Sequence, residues 1–197
     1  MEHISNIEYH PWEAFIPDGA KVLVMGTFPP QPHRWAMDFY YPNRTNDFWK
    51  VCGIVFRGDP MAFYDTASKT YRLEAIKSML RSHKIALCDT AHAVRRLKGN
   101  ASDKFLDIIE PVDLDSLLAR MPECVALATT GQKAAETLAA LTHTHVPAMG
   151  ASVCYERPDG RRIDIWRLPS TSRAYPLAPD KKAEFYRTFF KDVGIID

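Results

Sequence analysis

Residues Lys21–Lys50 read KVLVMGTFPPQPHRWAMDFYYPNRTNDFWK. Val22-Leu23-Val24-Met25 is a short unbroken apolar run, the pattern of a strand buried on both faces. It stops at Gly26-Thr27, and Pro29-Pro30 forbid a helix from starting at once. About fifteen residues of aromatic and polar loop follow, until Thr45 or Asn46 offers the N-cap of a helix carrying Phe48, Trp49 and Val51. Open α/β sheets keep their chemistry in loops at the carboxyl ends of core strands, and loops of this length are usually functional. A surface excursion pinned by packed aromatics is the competing reading.

Two further stretches carry the same signature, and a hairpin follows them. Ile85-Ala86-Leu87-Cys88 ends in Asp89-Thr90, and the apolar run Cys124–Thr129 passes into Thr130-Gly131. Ser152–Glu156 and Arg162–Arg167 flank Pro158-Asp159-Gly160, a hairpin signal, and the second arm continues into Leu168-Pro169-Ser170-Thr171-Ser172. Between these runs the 3.6-residue period recurs. A first helix closes at Gly58, and a second covers Tyr71–His83 on Leu73, Ile76, Met79 and Leu80. A short one spans Asp113–Arg120, and the next opens at Thr130-Gly131 with Ala134, Ala135, Leu138 and Leu141 inward. The last runs from Asp180 to Asp192 on Phe185, Phe189 and Phe190. Residues 1–20 read as a polar lead-in anchored by Tyr9, Trp12 and Phe15; residues 59–69 and 91–110 show no clear period. Strands alternating with helices predict an α/β fold, a mainly parallel sheet covered on both faces. No repeat or linker divides residues 1–197, so a single domain is expected.

Composition sets limits on function. A chain of 197 residues, 46% hydrophobic and 25% charged, can bury a core without disulfide or metal support. Its formal net charge of +1 argues against a global field for nucleic acid, though a local patch can still serve. Cys52, Cys88, Cys124 and Cys154 contain no C-x-x-C pair, which excludes a zinc or disulfide framework, and Cys88 and Cys124 lie inside apolar runs, which suggests buried thiols in a reducing cytoplasm. The amino terminus has no basic start or apolar core of a signal peptide, and no apolar run approaches ~18 residues. A cytoplasmic monomer without membrane, metal or cofactor is expected.

If the sheet is parallel, Gly26–Pro30, Thr129–Gly131 and Leu168–Ser172 emerge on one rim. Each presents backbone N–H groups and small hydroxyls, and nearby helix starts add partial positive charge. Such a rim suits an anionic backbone, or a leaving group that becomes an anion.

Gly26-Thr27-Phe28-Pro29-Pro30, Tyr40–Val51 with its Asn46-Asp47-Phe48-Trp49, and Leu168–Ser172 together resemble the uracil-DNA glycosylase superfamily. The nearest branches are the mismatch-specific uracil and the hypoxanthine-DNA glycosylases, which carry a Gly-x-x-Pro turn, an Asn-x-Phe-Trp helix start and a Pro-Ser loop in this order. The resemblance implies a three-layer α/β/α sandwich around a small, mainly parallel sheet. It also implies a monofunctional DNA glycosylase that flips a deaminated base, uracil or hypoxanthine, out of DNA and hydrolyses its N-glycosidic bond.

The resemblance also assigns residues. Gly26, Thr27, Phe28 and Pro29 form the turn that in most relatives carries a water-activating Asp or Asn; Phe28 stands in its place and can do neither job. In the hypoxanthine branch the role moves to the Asn of Asn-x-Phe-Trp, here Asn46, whose amide oxygen can orient a water against an oxocarbenium-like sugar. A plain helix N-cap is the alternative for Asn46. Tyr41 falls where an aromatic ring stacks on the flipped base, with a loop anchor as its alternative. Thr130 and Gly131 fall near the residue that reads the base edge. Leu168 replaces the His that donates to the departing base, which leaves backbone N–H groups for that task. Pro169, Ser170, Thr171 and Ser172 would pinch the DNA backbone, and Arg173 lies where a wedge enters the vacated space.

Two weaker signals remain. Thr142-His143-Thr144-His145 has metal-like spacing but no further ligand nearby, so a solvated loop is expected. Arg157, Arg161, Arg162 and Arg167 cluster about the hairpin as a candidate phosphate patch, or as an ordinary charged hairpin. Phe28 and Leu168 keep a non-catalytic nucleic-acid-binding protein of the same fold as the competing function, and a nucleoside hydrolase stands third.

Overall fold

The buried apolar runs form the middle layer of the molecule. The computed structural model describes residues 7–97 and 103–197. In chain order its elements begin with β1 (Ile7–Tyr9), β2 (Val22–Met25), α1 (Phe48–Arg57), β3 (Tyr64–Asp65) and β4 (Thr70–Tyr71). Next come α2 (Leu73–Ser82), β5 (Ile85–Leu87), β6 (Ala91–Arg96), β7 (Leu106–Pro111) and α3 (Leu114–Ala119). The chain ends with β8 (Ala126–Thr130), α4 (Gln132–Thr142), β9 (Ser152–Glu156), β10 (Arg162–Leu168) and α5 (Pro179–Asp192). The main sheet has the order β5-β2-β8-β10-β9, with its first four strands parallel and β9 antiparallel to β10.

Every residue of β2 and β8 is buried, because helices cover both faces. Alternation along β2 divides the core in two: Val22 and Val24 face α1, α2 and α5, while Leu23 and Met25 face α3 and α4. This is the expected α/β/α sandwich. Cys52, Cys88 and Cys124 are buried free thiols, and burial pushes the Cys88 thiol up to about 12, so it is not poised to react.

The structure departs from the sequence reading in four places. First, β6 and β7 join β1 in a second, antiparallel sheet where no period was legible. Register shifts between Ala91 and Val94 break the alternation that would have marked a strand. Second, Tyr9 is no anchor, being 64% exposed on β1, whereas Trp12 and Phe15 do pack on the core. Third, the N-cap position of α1 is Asp47, whose side chain makes no cap hydrogen bond, and the capping oxygen comes from Asn46 one residue earlier; the helix ends at Gly58 (φ 67°) as expected. Fourth, α5 buries Lys182, Ala183, Tyr186, Phe189 and Phe190, with Phe185 only half-buried. The basic run's Lys98 and the segment Gly99–Ser102 lie outside the described residues.

Candidate functional site

Parallel strands all point their carboxyl ends one way, so the segments that follow β2, β5, β8 and β10 share one edge. There they enclose, with the Tyr41–Asn46 loop, a cleft of about 600 Å³. Gly26, Thr27, Phe28 and Pro29 line it from the first strand and Thr130 from the third. Ser170, Thr171, Ser172 and Arg173 line it beside Asn46, and Tyr41 lines it too. Gly131 and Pro169 stand behind this lining. A Cβ on Gly131, whose φ is 118°, would touch Ser170, and the Pro169 carbonyl accepts a hydrogen bond from the Tyr186 hydroxyl at 3.0 Å.

Gly26 is glycine because three polar groups converge on it. A Cβ there would lie 2.8 Å from Asp89 Oδ1, 3.2 Å from Tyr41 Oη and 3.6 Å from Thr130 Oγ1. Tyr41 and Thr130 hydroxyls are themselves 3.0 Å apart. Tyr41 holds a left-handed backbone (φ 52°), an uncommon state for a bulky residue and one that tends to occur at functional sites. Its ring stacks on Phe48 at 3.8 Å and 16°, so one aromatic face is already occupied.

Asp89 is the residue that the sequence reading left without a role. It is 7% exposed, lines the cleft, and follows a strand whose neighbours are all apolar. His10 holds it from β1's side, with Nε2 2.9 Å from Asp89 Oδ2 and Nδ1 2.9 Å from the Trp12 carbonyl oxygen. Burial by itself would lower the His10 pKa, but the hydrogen bond and charge of Asp89 outweigh it, and the net shift is upward from 6.5. An imidazolium donates to both acceptors at once. One carboxylate oxygen is thus committed to His10 while the other turns toward Gly26 and the cleft.

Phe28 packs edge-on against His10 at 5.4 Å and beneath the Arg96 guanidinium at 5.6 Å. Buried Arg96 also donates to the Pro29 carbonyl at 2.7 Å and pairs with Glu8 at 3.0 Å. The second sheet therefore clamps the turn after β2. On the opposite wall the Phe48 N–H donates to Asn46 Oδ1 at 2.9 Å, so the Asn46 side chain satisfies one orphan donor of α1. Asn46 also bridges Ser172, and the Asp47 N–H donates to the Thr171 carbonyl at 2.8 Å. Fully buried Lys182 ties the same corner, donating to Asp47 Oδ2 at 3.0 Å and to the Ser172 carbonyl at 2.9 Å.

Three expectations about neighbouring residues need correction or closure. Leu168 is fully buried and does not line the cleft. Arg157 and Arg161 do not form a phosphate patch at this site. They precede β10, at the amino end of the parallel strands, with Arg157 3.6 Å from both Asp115 and Asp159 and Arg161 bound to Asp159 and the Pro122 carbonyl. Arg162 opens β10 at that same end. Among the described residues no cluster of three His, Cys, Asp or Glu could hold a metal, and His143 serves as the left-handed C-cap of α4 (φ 54°).

No protein-family model matches the sequence, and neither does any curated protein. Solved structures do match. The solution NMR structure of a putative uracil DNA glycosylase from Methanosarcina acetivorans aligns with 96% of this chain and 99% of its own, at 20% identity and a TM-score of 0.64. The chain has the uracil-DNA glycosylase-like fold. The alignment spans nearly the whole of both chains. Within this uracil-DNA glycosylase-like fold the cleft sits where open α/β sheets bind ligands, at the carboxyl ends of their strands.

Proposed function

We propose that the protein is a monofunctional DNA glycosylase that hydrolyses the N-glycosidic bond of a deaminated base, uracil or hypoxanthine, flipped out of DNA. The observation that carries this reading is the cleft itself, where the Asp89 carboxylate and the Tyr41 and Thr130 hydroxyls converge on Gly26 and Asn46 lines the same cavity. The flipped base enters the cleft, and Asp89 Oδ1 accepts a hydrogen bond from a ring N–H on its edge. As the C1′–N bond breaks, its electrons leave with the base as an anion, which backbone N–H groups on the rim stabilise. The sugar becomes an oxocarbenium ion. The second lone pair of Asn46 Oδ1 orients a water toward C1′; as the new C–O bond forms the water gives up a proton to bulk solvent, and the departed base anion takes one up from solvent.

Absence of a heteroatom at Phe28 and the burial of Leu168 favour the second reading, a non-catalytic protein of the same fold that binds nucleic acid. A glycosylase assay decides between them. Oligonucleotides carrying a single deoxyuridine or deoxyinosine, single-stranded or mismatched, are incubated with enzyme and the abasic sites cleaved by alkali. Strand cleavage at the modified base is expected; binding without any cleavage would establish the second reading.

A further inference from the structure

A second cavity of about 240 Å³ opens beside the cleft. Buried Trp49, Phe63 and Tyr71 floor it, and half-buried Tyr64 and exposed Met61 stand at its outer side. Arg44, Lys50 and Arg173 surround it. The nearby acid, Asp47, is 3% exposed and bound to Lys182, while Lys50 and Arg173 stand off from it at 3.9 Å. Aromatic rings with a cationic rim match the two faces of a nucleotide, a flat base and an anionic phosphate. At this volume the cavity suits one small planar group, below the ~300 Å³ at which drug-sized ligand pockets begin.

Position narrows the occupant. Thr45 and Arg173 line both cavities, so the two are separated by a single ridge that carries a cation. A continuous strand whose flipped nucleotide fills the cleft would lay its next phosphate across that ridge. We propose that the second cavity holds the unpaired base neighbouring the flipped nucleotide, with Arg173 and Arg44 on the intervening phosphate. The inference rests on the glycosylase reading and extends it to strand preference. A neighbouring base that is paired and stacked in a duplex cannot enter the cavity, so single-stranded or locally melted DNA is the favoured substrate.

The test measures binding of fluorescein-labelled single-stranded oligonucleotides by fluorescence anisotropy. Each carries one 2′-fluoro-deoxyuridine or 2′-fluoro-deoxyinosine, flanked either by natural bases or by an abasic tetrahydrofuran spacer on its 5′ or 3′ side. With the native protein, one of the two spacers is expected to weaken binding about tenfold, equivalent to about 1.4 kcal/mol. Tyr64→Ala and Met61→Ala should bind the natural-flank oligonucleotide more weakly while binding the spacer oligonucleotide as the native protein does; Tyr64→Phe, which keeps the ring, should restore the difference. Equal affinity for both oligonucleotides, or variants that weaken both alike, would overturn the second base site. If excision proceeds in the assay above without any dependence on flanking bases, this inference alone fails. If no oligonucleotide binds at all, the glycosylase reading and the inference fall together.

Discussion

At Asn46 a capping bond and the proposed chemical role fall on one side chain. Its amide oxygen takes the Phe48 N–H, which fixes the carboxamide against the first turn of α1 and leaves one lone pair for a water. Asn46→Ala should therefore cost about 1 kcal/mol of stability and, separately, lower the single-turnover excision rate by orders of magnitude with DNA binding nearly intact. Chemical denaturation and rapid-quench kinetics on the same variant measure the two effects, and full activity in a merely less stable protein would remove Asn46 from the mechanism. Asn46→Asp keeps the cap acceptor, so any change in its rate or pH profile reports on chemistry alone. His10 and Asp89 make a second prediction, on pH. The His10 pKa is raised on folding, so the pair contributes its full stability below the unfolded value near 6.5. That contribution is lost as pH rises through the elevated folded value. The difference in melting temperature between native protein and His10→Gln should be largest under mildly acidic conditions and shrink toward alkaline pH; a constant difference would mean that the imidazolium is not what holds Asp89.

Among the elements, α5 does more than cover the sheet. Lys182 reaches from its first turn, fully buried, to the cap residue of α1 and to the carbonyl of Ser172. One ammonium thus fixes the relative placement of Asn46 and the Ser170–Arg173 loop, which adjoin through the Asn46–Ser172 bridge at one corner of the cleft. Lys182→Met leaves Asp47 buried with Lys50 and Arg173 no nearer than 3.9 Å, and should destabilise the fold by about 3–5 kcal/mol. Adding Asp47→Asn removes the stranded charge and should recover much of that loss in urea titrations. Additive losses in the double variant would show that the two groups do not act as a pair. The turn after β2 is held as tightly from the other side. A methyl group at Gly26 meets the Asp89 carboxylate at 2.8 Å, so Gly26→Ala is expected to cost about 1–3 kcal/mol and to displace Asp89 from the cleft. A crystal structure of that variant with Asp89 unmoved would contradict the account of why glycine stands there.

For the whole molecule, a net charge of +1 means that under the proposed function DNA affinity depends on local cations. Arg34, Lys104 and Arg173 line the cleft, whereas Arg161 and Arg162 lie at the opposite end of the parallel strands. Neutralising Arg34 or Arg173 should flatten the dependence of log affinity on log salt by roughly one unit for each phosphate left without its cation. Arg161→Ala and Arg162→Ala should leave that slope unchanged. The opposite pattern would move the DNA surface to the far end of the sheet.

Much of this architecture was legible before any coordinates, because burial on both faces writes itself into continuous apolar runs. Val22–Met25, Ile85–Leu87, Ala126–Thr130 and the Arg162–Leu168 arm follow from composition and punctuation, and their parallel arrangement places Gly26, Thr130 and Ser170 on one rim. Short bulged strands such as β6 leave no period to read, so the second sheet and its clamp on Phe28 and Pro29 were hidden. Long-range polar pairs leave no local pattern at all: Asp89 and His10 are 79 residues apart, and Lys182 and Asp47 are 135 apart. Each looks like an ordinary charged or titratable residue among its sequence neighbours. Only the tertiary structure, by excluding water from both partners at once, makes those four side chains the groups that hold the cleft in shape.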